Sequence, residues 1–529
     1  MKKAENICNK IIAATGGILS LALFVSVILV LGRMPLDEHE RVVFLMNGPL
    51  FWCLAAAGIV VLLLLRRPLE RIPAVWLYVA GAVLYGIAAA YLITHVPPVL
   101  KDDPYMIRYH AEKFLHGDYI GLTDGYYLGF FPYQLGMLSY ETALMRFSGS
   151  LRLLFAANAV FVLLIDLLQW RIAALMFSGA DADRRSLAEK YTILLSYAFL
   201  PMLFFILFVY GFLPGYCLFL AAGYFLLRLS AQGTKRIRAF LDGVLVVLFL
   251  SAALIIKPNY IIGIIAVCLV AVLHALREKR AGLLLLVCAC LIVPHAGREA
   301  MYVYYRQMTG IPFRSGAPFL LNIAMGLQPE ENCYDRLGGW YNGYNFMTYE
   351  DLGYSEEAAS AAAREETGRL AGYWSAHPAE AGEFFGIKIL STWCEPLFES
   401  VWIGPHVETG AAVDGPVMDS LYGQDYVFLL SEKWMQIFLV ILYGGAAWYA
   451  AGSLRRGREV TGVQLLPLLF FLGGFFFHLI SETNSQYALI YAYGLIPYVA
   501  YTAAGISGIS PARRFRGKKT ADRQEEGRR

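Results

Sequence analysis

The chain has 529 residues, 58% of them hydrophobic and only 16% charged, with a mean hydropathy of +0.52 and a net charge of +3. Soluble domains hold about 45–50% apolar and about 25% charged residues, and a single soluble core stops growing near about 250–300 residues. One soluble globule is excluded. Apolar runs of about 20 residues recur instead, each long enough to cross a hydrocarbon layer of about 30 Å.

In chain order the runs predict twelve membrane spans, at 11–32, 43–65, 73–95, 151–170, 190–210, 212–228, 238–256, 259–276, 282–304, 433–452, 461–480 and 487–507. The first follows Lys2, Lys3 and Lys10 and has no secretory cleavage pattern, so it reads as a retained anchor. Arg66, Arg67 and Arg71 mark one basic loop, and Arg184, Arg185 and Lys190 a second. Lys235, Arg236 and Arg238, then Arg277, Lys279 and Arg280, then Arg455, Arg456 and Arg458 mark three more. All five fall on one side, which predicts a cell-membrane protein with both ends cytoplasmic. Residues 131–149 are moderately apolar but carry Glu141 and Arg146. A thirteenth full span there would turn the later basic loops outward, so this stretch reads as a short, re-entrant or protein-buried helix.

Two external loops remain, 96–130 and 305–431. The second carries six Lys/Arg against seventeen Asp/Glu, whereas Gly508–Arg529 carries eight against three. That contrast fits an outside domain and a basic cytoplasmic tail lying on anionic lipid, with no nucleic-acid partner. Within 305–431, Ser355 is placed to cap an Ala- and Glu-rich helix that sets Leu370 and Trp374 one turn apart. The run Glu383–Trp402 alternates aromatic and polar residues and is expected at the membrane surface. Cys333 and Cys394 are candidates for a pair. Cys53, Cys217, Cys268, Cys288 and Cys290 lie in apolar runs as small core residues. Asp166, deep inside a span, is expected to face other helices in a structural role.

The first external loop begins VPPVLKDDPYMIRYHAEKFLHGDY. Asp103 followed by Pro104 predicts a helix start, with a carboxylate cap and proline at the first helical position. Ile107, Ala111, Phe114 and Leu115 then recur at helical spacing, as on an amphipathic interfacial helix. Asp102 and Asp103 together, at the mouth of a span, are also able to hold a divalent metal, or to hold and deprotonate an acceptor hydroxyl. His95, His110 and His116 lack metal-ligand spacing, and no metal or cofactor is predicted. No P-loop, GxSxG elbow or HExxH motif is present, which argues against cytoplasmic nucleotide chemistry.

The stretch DDPYMIRYHAEKFLHGDY, followed by GYYLGFFPYQLGMLSYETALMRFSG, resembles the start of the GT-C glycosyltransferases. More narrowly it is similar to the bacterial branch of family 39, relatives of protein mannosyltransferases and aminoarabinose transferases. Asp103 matches that family's acidic position, Gly117-Asp118-Tyr119 its turn, and Pro132 with Leu135-Gly136 its short helix start. Tyr210-Gly211, Pro214-Gly215 and Lys257-Pro258-Asn259 match its external edges more loosely. Ser481-Glu482 and Gln486-Tyr487 stand where relatives carry Glu and then Arg-Tyr; Gln486 departs from the pattern. The resemblance touches most of 75–507 and implies a GT-C-like bundle of about twelve to thirteen helices. The chain then divides into two added spans (1–72), a core with the first loop (73–304), the large external loop (305–431), three spans (432–507) and the tail (508–529).

The implied activity moves a sugar from a polyprenyl-phosphate donor to a cell-envelope polymer, lipid or protein acceptor outside the membrane, with inversion. Its expected machinery is Asp103 and Asp102 as catalytic carboxylates. Lys257, Arg298, Arg306, Tyr210, Glu482 and Tyr487 are the expected substrate-binding residues. Lys257 also reads as a snorkelling lysine, and Arg298 and Arg306 as ordinary residues at a span end. A transporter or lipid flippase is the alternative from another class, but no internal repeat supports it and an outer loop of about 125 residues is unusual for one. A polysaccharide polymerase or ligase also shares this form. It differs in placing its essential Arg and His in the second loop rather than an acid in the first.

Overall fold

The computed structural model describes residues 2–37, 39–230, 235–278, 280–329, 336–404, 412–455 and 460–506. The basic tail and Cys333 lie outside them. The chain is an all-α multi-pass membrane protein, with one two-stranded exception.

The chain opens on α1 (Lys2–Leu29) and continues into β1 (Val30–Arg33), which pairs antiparallel with β2 (Val43–Met46). Residues 43–46 were expected to begin the second span. They form a strand instead, and α2 starts at Pro49 (Pro49–Leu64), where the proline suits the first helical turn. Then follow α3 (Ala74–His95), α4 (Asp102–Leu115), α5 (Leu135–Met145), α6 (Leu151–Met176), α7 (Ala182–Ala198), α8 (Phe212–Ser230), α9 (Arg236–Ile256), α10 (Ile261–Glu278) and α11 (Ala281–Thr309). The long segment after α11 carries α12 (Glu356–Ala376) and α13 (Pro378–Trp393). The chain returns through α14 (Tyr426–Ser453), α15 (Leu466–Ile480), α16 (Ser485–Tyr493) and α17 (Ile496–Ile506).

Among the described residues ten helices are long and apolar enough to cross a bilayer, and up to twelve if each of two bent pairs counts as one span. The bends follow from proline. Pro201 follows α7 at a 54° break, and Pro497 opens α17 at a 45° break from α16. All twelve expected spans correspond to these. Residues 131–149 form only the 11-residue α5, about 17 Å long and too short to cross. Glu141 on it is fully buried in protein.

The helices are ordered by polar contacts at one end and by close approach at the other. Arg277 pairs with Glu5 at 3.7 Å, Arg228 with Asp242 at 3.1 Å, and Arg184 donates to the Tyr501 carbonyl at 3.2 Å. Arg277 and Arg184 therefore lie at the bundle end that holds the start of α1 and the close of α17. At the opposite end Gly136 lets α5 touch α9: a Cβ there would sit 1.8 Å from the Ile255 carbonyl oxygen. Asp166 accepts a hydrogen bond from the Tyr493 hydroxyl and is buried between helices, as its cost in a span demands.

Helix α12 starts at Ser355, whose side chain accepts from the Ala358 amide at 3.3 Å, and it buries Leu370 and Trp374. The expectation for Glu383–Trp402 fails in its second half. Residues 391–404 are all buried within the protein, with Trp393 and Trp402 at 2% and 3% exposure. Glu395 and Glu399 supply the reason. Their carboxylates are buried there and bind the Ser485 hydroxyl, each at 3.0 Å, which ties this segment to the start of α16.

Candidate active site

Lys101-Asp102-Asp103-Pro104 enters α4 differently from the expected cap. The cap position is Lys101, and no side chain caps the helix. Asp102 takes a left-handed φ of 51°, a conformation that Asp tolerates better than most residues. Asp102 is left exposed and Asp103 half-buried. The Asp103 carboxylate faces a tyrosine: Tyr210 Oη donates to its Oδ2 at 2.5 Å. Tyr210 Oη in turn accepts from Gln134 Nε2 at 2.7 Å, and Gln134 also reaches Tyr127 Oη at 3.4 Å. Burial raises the Asp103 pKa; hydrogen bonds from Tyr210 and Tyr127, and the charge of Lys257, act against that rise.

Lys257 ends α9. The following Pro258 forces it to an extended backbone and stops the helix, and its side chain turns inward rather than out to lipid. It is 6% exposed. Its Nζ lies 3.7 Å from the centre of the Tyr210 ring and 4.0 Å from that of Phe212, and donates to the Tyr210 carbonyl at 3.4 Å. Burial pulls the Lys257 pKa down to about 7, against the pull of Asp103 and Glu482. The Tyr210 side chain thus stands between the acid and the ammonium.

Two chambers meet at this point. One, of about 520 Å³, is lined by Lys257, Arg298, His295, His478 and Gln134. The other, of about 470 Å³, is lined by Asp102, Asp103, Glu40, Arg336, Asn484 and Gln486. Tyr133, Tyr210, Asn322, Glu482 and Tyr487 border both. Tyr487 Oη donates to Glu482 Oε1 at 3.2 Å, and burial raises the Glu482 pKa to about 7. The first chamber lies between α9 and α11, and α11 turns Leu291 and Ile292 outward. Farther along the same seam an apolar trough of about 600 Å³ runs past Val244, Val247, Leu248, Leu283 and Leu286.

Seven of the eight expected site residues therefore line one chamber or the other. Arg306 does not. Its Nε donates to the Phe313 carbonyl at 3.1 Å, and it lines neither chamber. Arg298 does line the first, with one guanidinium nitrogen 3.8 Å from Glu299.

The site also contains residues that sequence reasoning missed. Glu40, from the loop between the first two spans, pairs with Arg336 of the long segment after α11 and accepts from Asn484 Nδ2 at 3.2 Å. A charge in a short loop between apolar runs was its only signal, and the supposedly added segment thus reaches the site. Lys388 on α13 is 1% exposed and donates to the Gly326 and Ser481 carbonyls, the latter at 2.8 Å. It fixes the backbone that precedes Glu482, and burial lowers its pKa to about 7. His478 was visible as a lone imidazole in an apolar run. Its Nδ1 faces the Glu482 carbonyl at 3.4 Å, and its ring stacks on Tyr487 with centres 5.2 Å apart.

Among the described residues no group of three His, Cys, Asp or Glu side chains is placed to hold a metal ion. Chemically, the arrangement offers a carboxylate able to accept a proton, beside a chamber with a buried ammonium and a guanidinium for anionic charge. Compared with known proteins, the chain matches no family model, no curated protein and no solved structure.

Proposed function

We propose that this protein is a membrane glycosyltransferase that moves a sugar from a polyprenyl-phosphate carrier to an acceptor hydroxyl on the external face of a cell membrane, with inversion. The observation that carries the reading is the juxtaposition at Tyr210: Asp103 on its hydroxyl and Lys257 over its ring. A group transfer from a lipid phosphate needs one group to take a proton and another to receive negative charge.

The step balances as follows. Asp103 takes the proton of the acceptor hydroxyl, and the freed oxygen bonds to the anomeric carbon. The bond from that carbon to the phosphate oxygen breaks, and its electron pair stays with the phosphate. Lys257 and Arg298 meet the charge that grows there. A single displacement needs one base, so no second carboxylate is required at the spacing of about 5 Å used by retaining hydrolases. The trough along the α9–α11 seam suits an isoprenoid tail, because it is apolar and lies between the same two helices as the cationic chamber.

This reading places the chambers outside and both chain ends in the cytoplasm. Two measurements test it. In a chain with its native cysteines replaced, a membrane-impermeant thiol reagent should label Ser360→Cys on intact cells and spare Thr520→Cys. The reverse pattern refutes the orientation. Purified protein given a series of polyprenyl-phosphate sugars together with a mixture of saccharide, lipid and peptide hydroxyl acceptors should release polyprenyl phosphate from at least one of them. Release from none refutes the activity.

A further inference from the structure

We infer that Gln134 is a positioning residue: its side-chain amide directs the hydrogen bonds around Asp103, so that Tyr210 and Tyr127 both give their protons to the carboxylate and hold it as a base. The inference rests on the transfer reading above and adds to it the group that keeps the acid in its charged form.

Gln134 closes the short turn Pro132–Gln134 that leads into α5, and it is 2% exposed. Its Nε2 meets two phenol oxygens, Tyr210 Oη at 2.7 Å and Tyr127 Oη at 3.4 Å. Tyr210 Oη lies 2.5 Å from Asp103 Oδ2, and Tyr127 hydrogen-bonds the same carboxyl. One amide, two phenols and one carboxyl thus form a closed group. The number of available hydrogens fixes its direction. An amide nitrogen brings two, a phenol one and an ionised carboxylate none. With the nitrogen toward the tyrosines and Asp103 ionised, the two amide and two phenol hydrogens fill every contact in the group. With the amide reversed, its oxygen brings none, and a protonated Asp103 adds only one to the two phenol hydrogens. That arrangement leaves oxygen facing oxygen in a buried contact, which is costly.

The same arrangement favours the charged form of Asp103. The amide occupies both phenol oxygens, and their second lone pair is drawn into the ring. A proton placed on Asp103 therefore meets no good acceptor among them. The ionised carboxylate instead receives two phenol protons, which stabilise it. Lys257 Nζ, 3.7 Å from the centre of the Tyr210 ring, polarises that phenol and strengthens its donation. The other titratable groups whose charges act with Asp103 are Asp102 beside it, Tyr133, Glu482 and Tyr487. Gln134 carries no charge and stands behind the phenols, so its influence on Asp103 passes through them.

Infrared difference spectra of the full-length protein in detergent micelles, recorded across a pH series without substrate, test this. The C=O stretch of protonated Asp103 is identified by its loss in Asp103→Asn. At neutral pH the wild type should show none of it. Gln134→Met keeps the length and the burial but has no donor. In it the midpoint for Asp103 should rise by about 0.5–1 pH unit, the effect of one hydrogen bond, and the acid limb of kcat/KM should rise with it. In the double variant Tyr127→Phe, Tyr210→Phe no phenol relays the amide, so adding Gln134→Met should move the midpoint no further. Three results overturn the inference: a protonated Asp103 in the wild type at neutral pH, an unmoved midpoint in Gln134→Met, or an equal rise on both backgrounds. The first of these needs no variant to fold. A lower Tm with the midpoint in place would leave Gln134 a packing residue alone. Release of polyprenyl phosphate is read in parallel. Donor cleaved with an unmoved midpoint ends the inference and leaves the transfer reading standing. A raised midpoint with no donor cleaved ends the transfer reading and leaves the hydrogen-bond arrangement standing.

Discussion

The two chambers share a wall of tyrosines and Glu482 but differ in what each side offers. The side between α9 and α11 presents Lys257 and Arg298 and borders the lipid-facing surface. The side beside α4 presents carboxylates, amides and half-buried rings. Placing opposite charges across one tyrosine lets each group keep a different duty. Under the proposed transfer, the ammonium would face the phosphate that gains charge, and the carboxylate the hydroxyl that loses its proton. The separation depends on elements far apart in sequence, because Lys257 ends one span and Asp103 starts a loop helix 154 positions earlier.

The largest expected effect comes from the carboxylate side. Asp103→Asn should lower kcat by about 10²–10⁴, the usual loss for a general base. The fold should survive, since Asp103 caps no helix and an Asn oxygen still accepts from Tyr210. Asp102→Asn should act weakly, because Asp102 is exposed. If Asp102→Asn is the severe variant, the roles of the two carboxylates are exchanged.

Lys257→Ala addresses the other side. Removing a charged hydrogen-bond donor costs about 1.5–3 kcal/mol, so kcat/KM for the lipid donor should fall about 10- to 150-fold while the acceptor KM holds. An equal rise in both KM values would show that the chambers do not act separately.

The same lysine sets a pH dependence. Burial holds its pKa near about 7. As pH rises through that value the free enzyme loses the ammonium, and kcat/KM for the donor should fall. Lys257→Arg should abolish that limb, because a guanidinium stays charged. Stability should move oppositely. The unfolded lysine keeps its proton up to about its ordinary 10.5, so between about 7 and 10.5 the unfolded state binds more protons. Folding should therefore strengthen with pH over that window, as read by thermal denaturation in detergent.

Gly326 is a smaller test of the shared wall. A Cβ there would sit 2.1 Å from the Ser481 carbonyl carbon and 2.3 Å from the Glu482 amide nitrogen. Gly326→Ala should cost about 1–3 kcal/mol of stability, the usual range for overpacking, and lower Tm. An unchanged Tm would mean that the backbone carrying Glu482 is not held by that contact. Smallest of all is Arg306→Ala, which should leave the KM for both substrates unchanged because Arg306 lines neither chamber. A raised donor KM would return it to the site.

Much of the membrane architecture was legible from hydropathy because each span is a long local signal. The bends after α7 and before α17 interrupt two stretches that hydropathy reads as single spans. What failed locally were short elements decided by distant partners. Residues 43–46 read as the start of a span, yet they complete a hairpin with β1. Glu383–Trp402 read as interfacial, yet its second half is buried because Glu395 and Glu399 find Ser485, about 90 residues away. In the site, Asp103, Lys257 and Glu482 were legible as charges at the edges of apolar runs. The cap assigned to Asp103 was wrong for a tertiary reason: Tyr210 takes the carboxylate that local geometry would have given to the helix. Glu40, Lys388 and Arg336 were not legible, since nothing in their neighbours says that the fold brings them to Glu482.

The most direct measurement is the stereochemistry of the glycoside formed from a donor of known anomeric configuration, read by NMR from the anomeric coupling constant. One base at Asp103 and one displacement across the Tyr210 wall give a product of inverted configuration. A product of retained configuration would require a covalent intermediate on a second nucleophile and would contradict the assignment of Asp103 as the single base.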